Sequence, residues 1–318
     1  VKDAGPFLEK SGWGDAHRAP LAGDASARRY DRLIGRDGSA ILMMDPSSET
    51  VEKFLAVTKI LEDRGYSVPR IMEQDAADGF VLMEDFGDAL FASLLAGGAD
   101  EPELYRLAVD FLIDLGQQPV PEGLPRFTSD YVLDQNGMFL DWFAAVQAEL
   151  TLSTEARDFY QQIWTELLSS LEQEPGVILL RDFHAENVFH LEGRPGLRAL
   201  GLIDYQDAMV GPAAYDLVSL FQDARRDVPE TLEQDMVARY MEATGAEPEA
   251  FLRSYALLGA HRALRILGIF VRLIRQQGKP KYEAFMPRMK GYLWRNLAHP
   301  DLVALRHWLD VTLGETLK

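Results

Sequence analysis

Residues 179–207 read LLRDFHAENVFHLEGRPGLRALGLIDYQD, and three polar side chains punctuate the stretch: Asp182, Asn187 five positions later, and Asp204. The runs GVILLRD, ENVFHLEG and ALGLIDY are short, apolar and bounded by Gly, Pro or charge, so they read as small strands flanking loops. Phosphoryl transfer needs such a set of groups. One carboxylate orients the attacking hydroxyl and accepts its proton, while a second carboxylate and an amide oxygen hold the Mg²⁺ that neutralises the β- and γ-phosphates. Asp182, Asp204 and Asn187 can fill those roles in that order. The plainer reading, that the aspartates are turn or cap residues, accounts less well for all three arriving in this order.

Upstream, PLAGDASARRYDRLI and SAILMMDP flank the turn-forming GRDG and read as paired strands between residues 20 and 45. Ser47 or Ser48 can cap a helix in which Val51, Phe54, Leu55, Thr58 and Leu61 recur at helical spacing until Arg64-Gly65. RIMEQD and GFVLMED, separated by AADG, suggest a second hairpin. Helical patterns then dominate at about 89–116, 129–150 and 153–173, with PVPEGLP as a connecting loop, and again from Tyr215 to the end. The expected order is a β-rich lobe over residues 1–86, then a larger, mostly helical lobe over 87–318 with a small β insertion.

The loop LLRDFHAEN resembles the catalytic loop of kinases, with Arg181 keeping the arginine-aspartate pair. With the following IDYQDA and GPAAYDL, it resembles the aminoglycoside phosphotransferase family, whose loop commonly reads D-x-H-x-x-N. That resemblance implies an α+β, protein-kinase-like two-lobe fold: a small antiparallel sheet with one main helix that binds nucleotide, and a helical lobe that binds the acceptor. It also implies ATP and Mg²⁺, with Asp182 as catalytic base, Asn187 and Asp204 on the metal, and Arg181, His184 and Asp216 supporting the loop. The family's histidine-glycine before the catalytic aspartate is here Leu180-Arg181, which leaves the carboxylate chemistry intact.

The strand SAILMMDP has no lysine where a kinase holds the α- and β-phosphates. A phosphate-covering turn is expected at Ala22-Gly23-Asp24-Ala25-Ser26, making Gly23 and Ser26 candidate nucleotide contacts, although the turn has only one glycine. Arg28 and Arg29 follow it, and either can supply the missing cation or lie in solvent at a strand edge. Glu84-Asp85-Phe86-Gly87 contains D-F-G but precedes the catalytic loop by about a hundred residues, so it reads as the inter-lobe hinge. By resemblance, Met83, Glu84 and Asp85 there meet the adenine. Without the strand lysine, Glu49 and Glu52 read best as solvated helix-start carboxylates.

GDASARRY, LMEDFGD, RDFHAEN, IDYQDAMVGPAAYDLVSLFQDA and HRALRILGIFVRL together resemble a narrower branch, bacterial kinases that phosphorylate the anomeric hydroxyl of N-acetylmuramate and N-acetylglucosamine in cell-wall recycling. The absent strand lysine is part of that likeness. Candidate acceptor residues are Gln206, Asp207, Asp223, His261, Arg262 and Arg265. His261 and Arg265 share a helix face, where a cationic cluster can meet a muramate carboxylate, or they are ordinary interhelical contacts. Another small alcohol, an aminoglycoside or a choline-like molecule, would use the same machinery. A catalytically weak nucleotide-binding regulatory module is the alternative from a different class.

Composition narrows the field. The formal charge of −18 repels a phosphate backbone, which argues against a nucleic-acid partner. With no cysteine there is no thiolate nucleophile, disulfide or cysteine-ligated zinc, and no HExxH spacing occurs. VKDAGPFLEKSGW shows no signal-peptide pattern, and ALRILGIFVRLI is interrupted by Arg265 and Arg272, so a cytoplasmic enzyme without membrane association is the expectation.

Overall fold

The computed structural model describes residues 2–21, 27–36 and 38–317. In chain order, helix α1 (Gly5–Lys10) precedes strands β1 (His17–Pro20), β2 (Arg29–Gly35) and β3 (Gly38–Met44), then helix α2 (Ser48–Glu62) and strands β4 (Ile71–Asp75) and β5 (Phe80–Glu84). Helices α3 (Phe91–Ala96), α4 (Glu101–Gln117) and α5 (Ser129–Met138) follow, with a π-helix over Phe139–Gln147 and helix α6 (Thr154–Leu168). Short strands β6 (Val177–Leu179), β7 (Val188–His190), β8 (Leu200–Leu202) and β9 (Met209–Gly211) come next. Helices α7 (Ala214–Phe221), α8 (Glu230–Thr244), α9 (Pro248–Gln277), α10 (Met286–Asn296) and α11 (Val303–Leu313) complete the chain.

The chain divides into two compact units. One comprises residues 1–108 with 185–208, the other residues 109–184 with 209–318. The first is built on an antiparallel sheet of order β1-β2-β3-β5-β4. On one of its faces Leu33, Ala40, Leu42, Met44, Phe80 and Leu82 bury Phe7 and Leu8 of α1. Fully burying an aliphatic or aromatic side chain of this size stabilises by about 2 kcal/mol, and β3 and β5 are buried on both faces, with Ile41, Met43, Val81 and Met83 on the other.

Gly79 is required where the β4–β5 turn closes on the end of β3. The Asp45 amide donates to the Gly79 carbonyl at 2.9 Å, Gly79 has φ +81°, and an added Cβ would lie 1.9 Å from the Asp45 carbonyl oxygen. Ser47 caps α2, its hydroxyl accepting from the Thr50 amide. The buried stripe of α2 is Val51, Phe54, Val57, Thr58 and Leu61. Val57 therefore takes the place expected for Leu55, because the face turns toward Tyr205, which stacks on Phe54 at 5.3 Å and hydrogen-bonds Thr58 at 2.9 Å.

The helical pattern at 89–116 resolves into two helices, because Gly97-Gly98 interrupts it and Gly98 has φ +87°. The 129–150 stretch changes from α5 into a π-helix. In the second unit the long helix α9 packs against this junction. Gly268 is the point of closest approach, since an added Cβ would sit 2.4 Å from the Met138 carbonyl oxygen. Among the described residues no helix is long and apolar enough to cross a membrane.

Candidate active site

The loop after β6 is held by a carboxylate arriving from α7. Asp216 is 2% exposed; its Oδ2 accepts the Leu180 amide at 2.6 Å and its Oδ1 accepts the Arg181 amide at 2.8 Å. The Arg181 carbonyl accepts from Ser219 Oγ at 2.8 Å and from Arg262 Nη1 at 3.4 Å. Arg181 lies at φ +69°, a left-handed conformation that a non-glycine residue keeps only where its surroundings impose it, and these four bonds do so. The Asp182 amide then turns back to the Leu180 carbonyl at 2.9 Å, so backbone bonds on both sides determine where Asp182 sits. Burial pushes the Asp216 carboxyl up to about 6, with the two amides pulling against it.

Asp182 is half-buried. Burial raises its pKa, but Arg262, His184, Arg265 and Arg181 more than offset this and leave it below the ordinary carboxylate value. Phe183 stacks on Phe111 at 5.5 Å and anchors the loop from beneath. His184 is buried, and burial lowers its pKa against the pull of Asp223 and Asp182. Asp223 is itself buried and accepts the Arg225 amide at 3.0 Å.

His261 belongs to the core. Sequence spacing groups it with Arg265 as a cationic face, whereas the structure places it among Phe127, Trp164 and Tyr215, with Nδ1 2.7 Å from Asn136 Oδ1. Burial and the neighbouring arginines push it down to about 3, so it is neutral and contributes no positive charge. Arg262 is 5% exposed and lies over the Tyr215 ring at 5.8 Å; Arg265 is half-buried and its Nε donates to Gln135 Oε1 at 2.8 Å. Arg181, which precedes Asp182, lies over the Tyr131 ring at 5.5 Å. Tyr131 and Gln135 are new to the site. They belong to no recognisable motif, and their spacing of four on α5 was the one available signal.

In the other unit, β7 and β8 form a ribbon with Val188 opposite Leu202. Its end brings together residues far apart in the chain: the Ile203 amide donates to the Asn187 carbonyl at 3.1 Å, and Asn187 Nδ2 lies 3.5 Å from Asp204 Oδ2. Asp204 has φ +59° and a side chain 41% exposed. An amide oxygen and a carboxylate are hard donors, and the described residues hold no cluster of three His, Cys, Asp or Glu for a metal. The pair suits a cation such as Mg²⁺ that completes its shell with phosphate oxygens and water.

Arg28 is 8% exposed and gathers this corner of the unit. Its Nε donates to Asp45 Oδ2 at 3.1 Å, and its Nη1 reaches Tyr30 Oη at 3.0 Å, Asp204 Oδ1 at 3.2 Å and Gln206 Oε1 at 2.9 Å. Burial works against its charge, but Tyr30, Asp204 and Asp45 keep it protonated. Asp45 immediately follows β3, the strand that lacks a lysine. Arg29, by contrast, is exposed. Gln206, grouped with the acceptor residues by sequence, bonds instead to Arg28 and donates to Asp204 Oδ1 at 3.1 Å; Asp207 is exposed. Gly23 and Ser26 lie outside the described residues.

In the segment expected to be the hinge, Met83 is buried opposite Ile41 in the sheet. Glu84 accepts from Arg194 Nη2 at 2.6 Å, and Asp85 pairs with Arg32 at 2.8 Å while accepting the Gly87 amide at 2.9 Å. Glu49, exposed in the first turn of α2, pairs with Lys53.

A five-stranded sheet followed by a mostly helical region that this loop and ribbon interrupt describes a protein-kinase-like phosphotransferase. The chain belongs to the phosphotransferase enzyme family, whose model matches residues 17–255. It is an enzyme of the kinase class, with a hydroxyl group as acceptor. It is 34% identical to the N-acetylmuramate/N-acetylglucosamine kinase of Caulobacter vibrioides, an alignment covering 96% of this chain and 94% of that protein. The kinase of the same name from Neisseria meningitidis is 35% identical over 86% of this chain and 84% of its own length. Among solved structures, a choline kinase from Streptococcus pneumoniae superposes with TM-score 0.64 at 14% identity, covering 91% of this chain and 98% of that one. An ADP-bound aminoglycoside phosphotransferase superposes with TM-score 0.60 at 16% identity, covering 92% and 97%.

Proposed function

We propose that this chain transfers the γ-phosphoryl group of ATP to the anomeric hydroxyl of an amino sugar of the N-acetylmuramate or N-acetylglucosamine type, in the cytoplasm where ATP is supplied. Residues 1–86 form the nucleotide lobe and residues 87–318 the catalytic and acceptor lobe in this reading. The observation that carries the chemistry is Asp182, ionised by surrounding guanidinium groups and located by the bonds of Asp216 to the two residues before it. The amino-sugar acceptor rests on the names of relatives that align over most of the chain.

The acceptor hydroxyl donates its hydrogen to the Asp182 carboxylate, which aims the oxygen at the γ-phosphorus. As the new P–O bond forms, the bond to the β-phosphate oxygen breaks, ADP leaves and Asp182 takes the proton. A depressed pKa suits this role, because a loose transition state needs the hydroxyl positioned more than it needs a strong base. Asn187 and Asp204 would hold the Mg²⁺, which would neutralise charge on the phosphates. Arg28 supplies the cation that a strand lysine supplies in other kinases, kept in place by Asp45. Backbone groups at Met83, Glu84 and Asp85 meet the adenine.

A cationic acceptor such as an aminoglycoside or choline is a weaker reading, because three arginines act on Asp182. The presence of Asp182, Asn187 and Asp204 together speaks against a merely regulatory module. ADP release measured across N-acetylmuramate, N-acetylglucosamine, other hexoses, aminoglycosides and amino alcohols, with phosphorus NMR of the product, tests the proposal. Phosphate at a primary hydroxyl, or turnover confined to the amino alcohols, would refute it.

A further inference from the structure

Two guanidinium groups hold residues 84–88, one from the five-stranded sheet and one from the connection between β7 and β8. Arg32 of β2 donates from Nη2 to Asp85 Oδ1 at 3.1 Å and to the Gly87 carbonyl at 2.8 Å, and its Nη1 donates to Asp88 Oδ1 at 2.7 Å. Arg194 donates from Nη2 to Glu84 Oε1 at 2.6 Å and lies over the Phe86 ring at 5.3 Å. Every residue from Glu84 to Asp88 is therefore tied to Arg32 or Arg194. Phe86 is fixed further by the Phe189 ring, edge-on at 5.6 Å, and by Gly201, where an added Cβ would lie 3.0 Å from the Phe86 ring.

The register of the sheet explains the reach of Arg32. Arg32 stands opposite Ile41 and Ile41 opposite Met83, so the three share one face, the reverse of the face that buries α1. Because β3 separates β2 from β5, Arg32 crosses this face above Ile41 to bond Asp85. The ends of the segment are fastened as well: the Glu84 amide donates to the Arg70 carbonyl at 2.9 Å, and the Ala89 carbonyl accepts the His190 amide at 2.8 Å. Between those ends the Asp85 and Phe86 amides donate to no group among the described residues. Two adjacent donors left over in a segment tied everywhere else suit a ligand that brings acceptor atoms.

We propose that Arg32 and Arg194 are positioning residues for the nucleotide base: they hold the backbone of residues 84–88 in the geometry that meets adenine, so that ATP binds without first ordering it. The inference rests on the reading of Met83, Glu84 and Asp85 as the adenine segment and deepens it. Arginine suits the task because its planar fork reaches several acceptors at once with fixed angles. A segment ordered beforehand costs the ligand less on binding. The effect of the two arginines falls on nucleotide affinity and leaves the phosphoryl step unchanged.

Arg32→Ala and Arg194→Ala test this. The KM for ATP should rise about tenfold in each, as expected when the binding geometry is populated about a tenth of the time. The kcat and the acceptor KM should stay within about twofold of wild type. Inorganic tripolyphosphate, which has no base, should bind wild type and both variants equally by calorimetry. Arg32→Lys should recover only part of the loss, since an ammonium lacks the fork that bonds Asp85, Gly87 and Asp88 together. Hydrogen exchange separates this inference from the reading beneath it. If ATP does not slow exchange at residues 84–88 of wild type, the adenine-segment reading fails. If ATP does slow it, and folded variants keep the wild-type KM for ATP, the positioning inference fails by itself. A matching loss of tripolyphosphate affinity, or a fall in kcat at saturating ATP, would likewise overturn it. Arg194→Gln, which keeps a donor for Glu84 and removes the charge over Phe86, is a milder second variant and should raise the KM for ATP in the same direction.

Discussion

Asp216 and Leu180 are thirty-six residues apart, yet the Asp216 carboxylate accepts the Leu180 amide at 2.6 Å and, through its other oxygen, the amide of Arg181. The loop that presents Asp182 is thus built on a carboxylate at the start of α7. Asp216→Asn retains one acceptor oxygen and puts an NH₂ group against an N–H. It should destabilise by about 1–3 kcal/mol through the unsatisfied amide and lower kcat for every acceptor. Urea unfolding and turnover check the two effects; normal turnover in the variant would remove Asp216 from any positioning role.

Two buried groups give opposing pH dependences. The Asp216 pKa of about 6 in the folded state lies above the 3.8 of a free aspartate side chain. The folded form binds the proton more tightly, so stability falls as pH rises from about 4 to 6, by about 3 kcal/mol in all. The His261 pKa of about 3 lies below the 6.5 of a free histidine side chain. Its contribution is fully present above about 6.5 and is lost as pH falls toward about 3, by about 5 kcal/mol. Wild-type stability should therefore change less between pH 4 and 6 than that of either variant. Asp216→Asn should lose stability more steeply on acidification, and His261→Gln should lose it more steeply as pH rises through the same window. Denaturant midpoints at several pH values measure this, and parallel curves for all three proteins would contradict it.

Asp182→Asn removes the proposed proton acceptor but keeps the shape of the loop. A loss of about a thousandfold in kcat is expected, with nucleotide affinity little changed. Retention of more than a tenth of wild-type turnover would remove Asp182 from the role of base.

Arg28→Ala leaves Asp45, 7% exposed, without the guanidinium it bonds. Breaking such a buried pair costs about 3–5 kcal/mol, and the KM for ATP should rise. Arg28→Lys restores a charge but not the fork that spans Asp45, Asp204 and Gln206, so recovery should be partial in both readouts. An unchanged KM for ATP in a folded Arg28→Lys protein would count against phosphate contact by this residue.

Gly268→Ala forces a Cβ against the backbone at Met138, and α9 must shift relative to α5. A destabilisation of about 1–3 kcal/mol is expected. Because the same helices carry the Arg265–Gln135 bond, acceptor KM should rise while nucleotide KM holds. Calorimetric unfolding and a two-substrate kinetic analysis read the effects separately.

The hairpins, the Ser47-capped helix and the small strands around the Asp182 loop were legible because they depend on local signals: apolar runs, turn glycines and a cap. The break at Gly97-Gly98 was visible in principle, but the apolar periodicity on either side outweighed it. The π-helix had no local signature. Leu55 and Val57 were both compatible with a helical stripe, and only the position of Tyr205 against α2 selected Val57.

Residue types and their order alone pointed to phosphoryl transfer and to Asp182, Asn187 and Asp204 as its candidates, because that chemistry demands carboxylates and an amide at a spacing that a loop and a ribbon impose. Charge states and partnerships were decided by the tertiary structure. His261 is neutral, Gln206 joins Arg28 and Asp204, and Tyr131 and Gln135 meet the arginines around Asp182. The reason is physical: desolvation and Coulomb interactions depend on distances through space, and residues far apart in the chain acquire those distances only when the helices and strands pack.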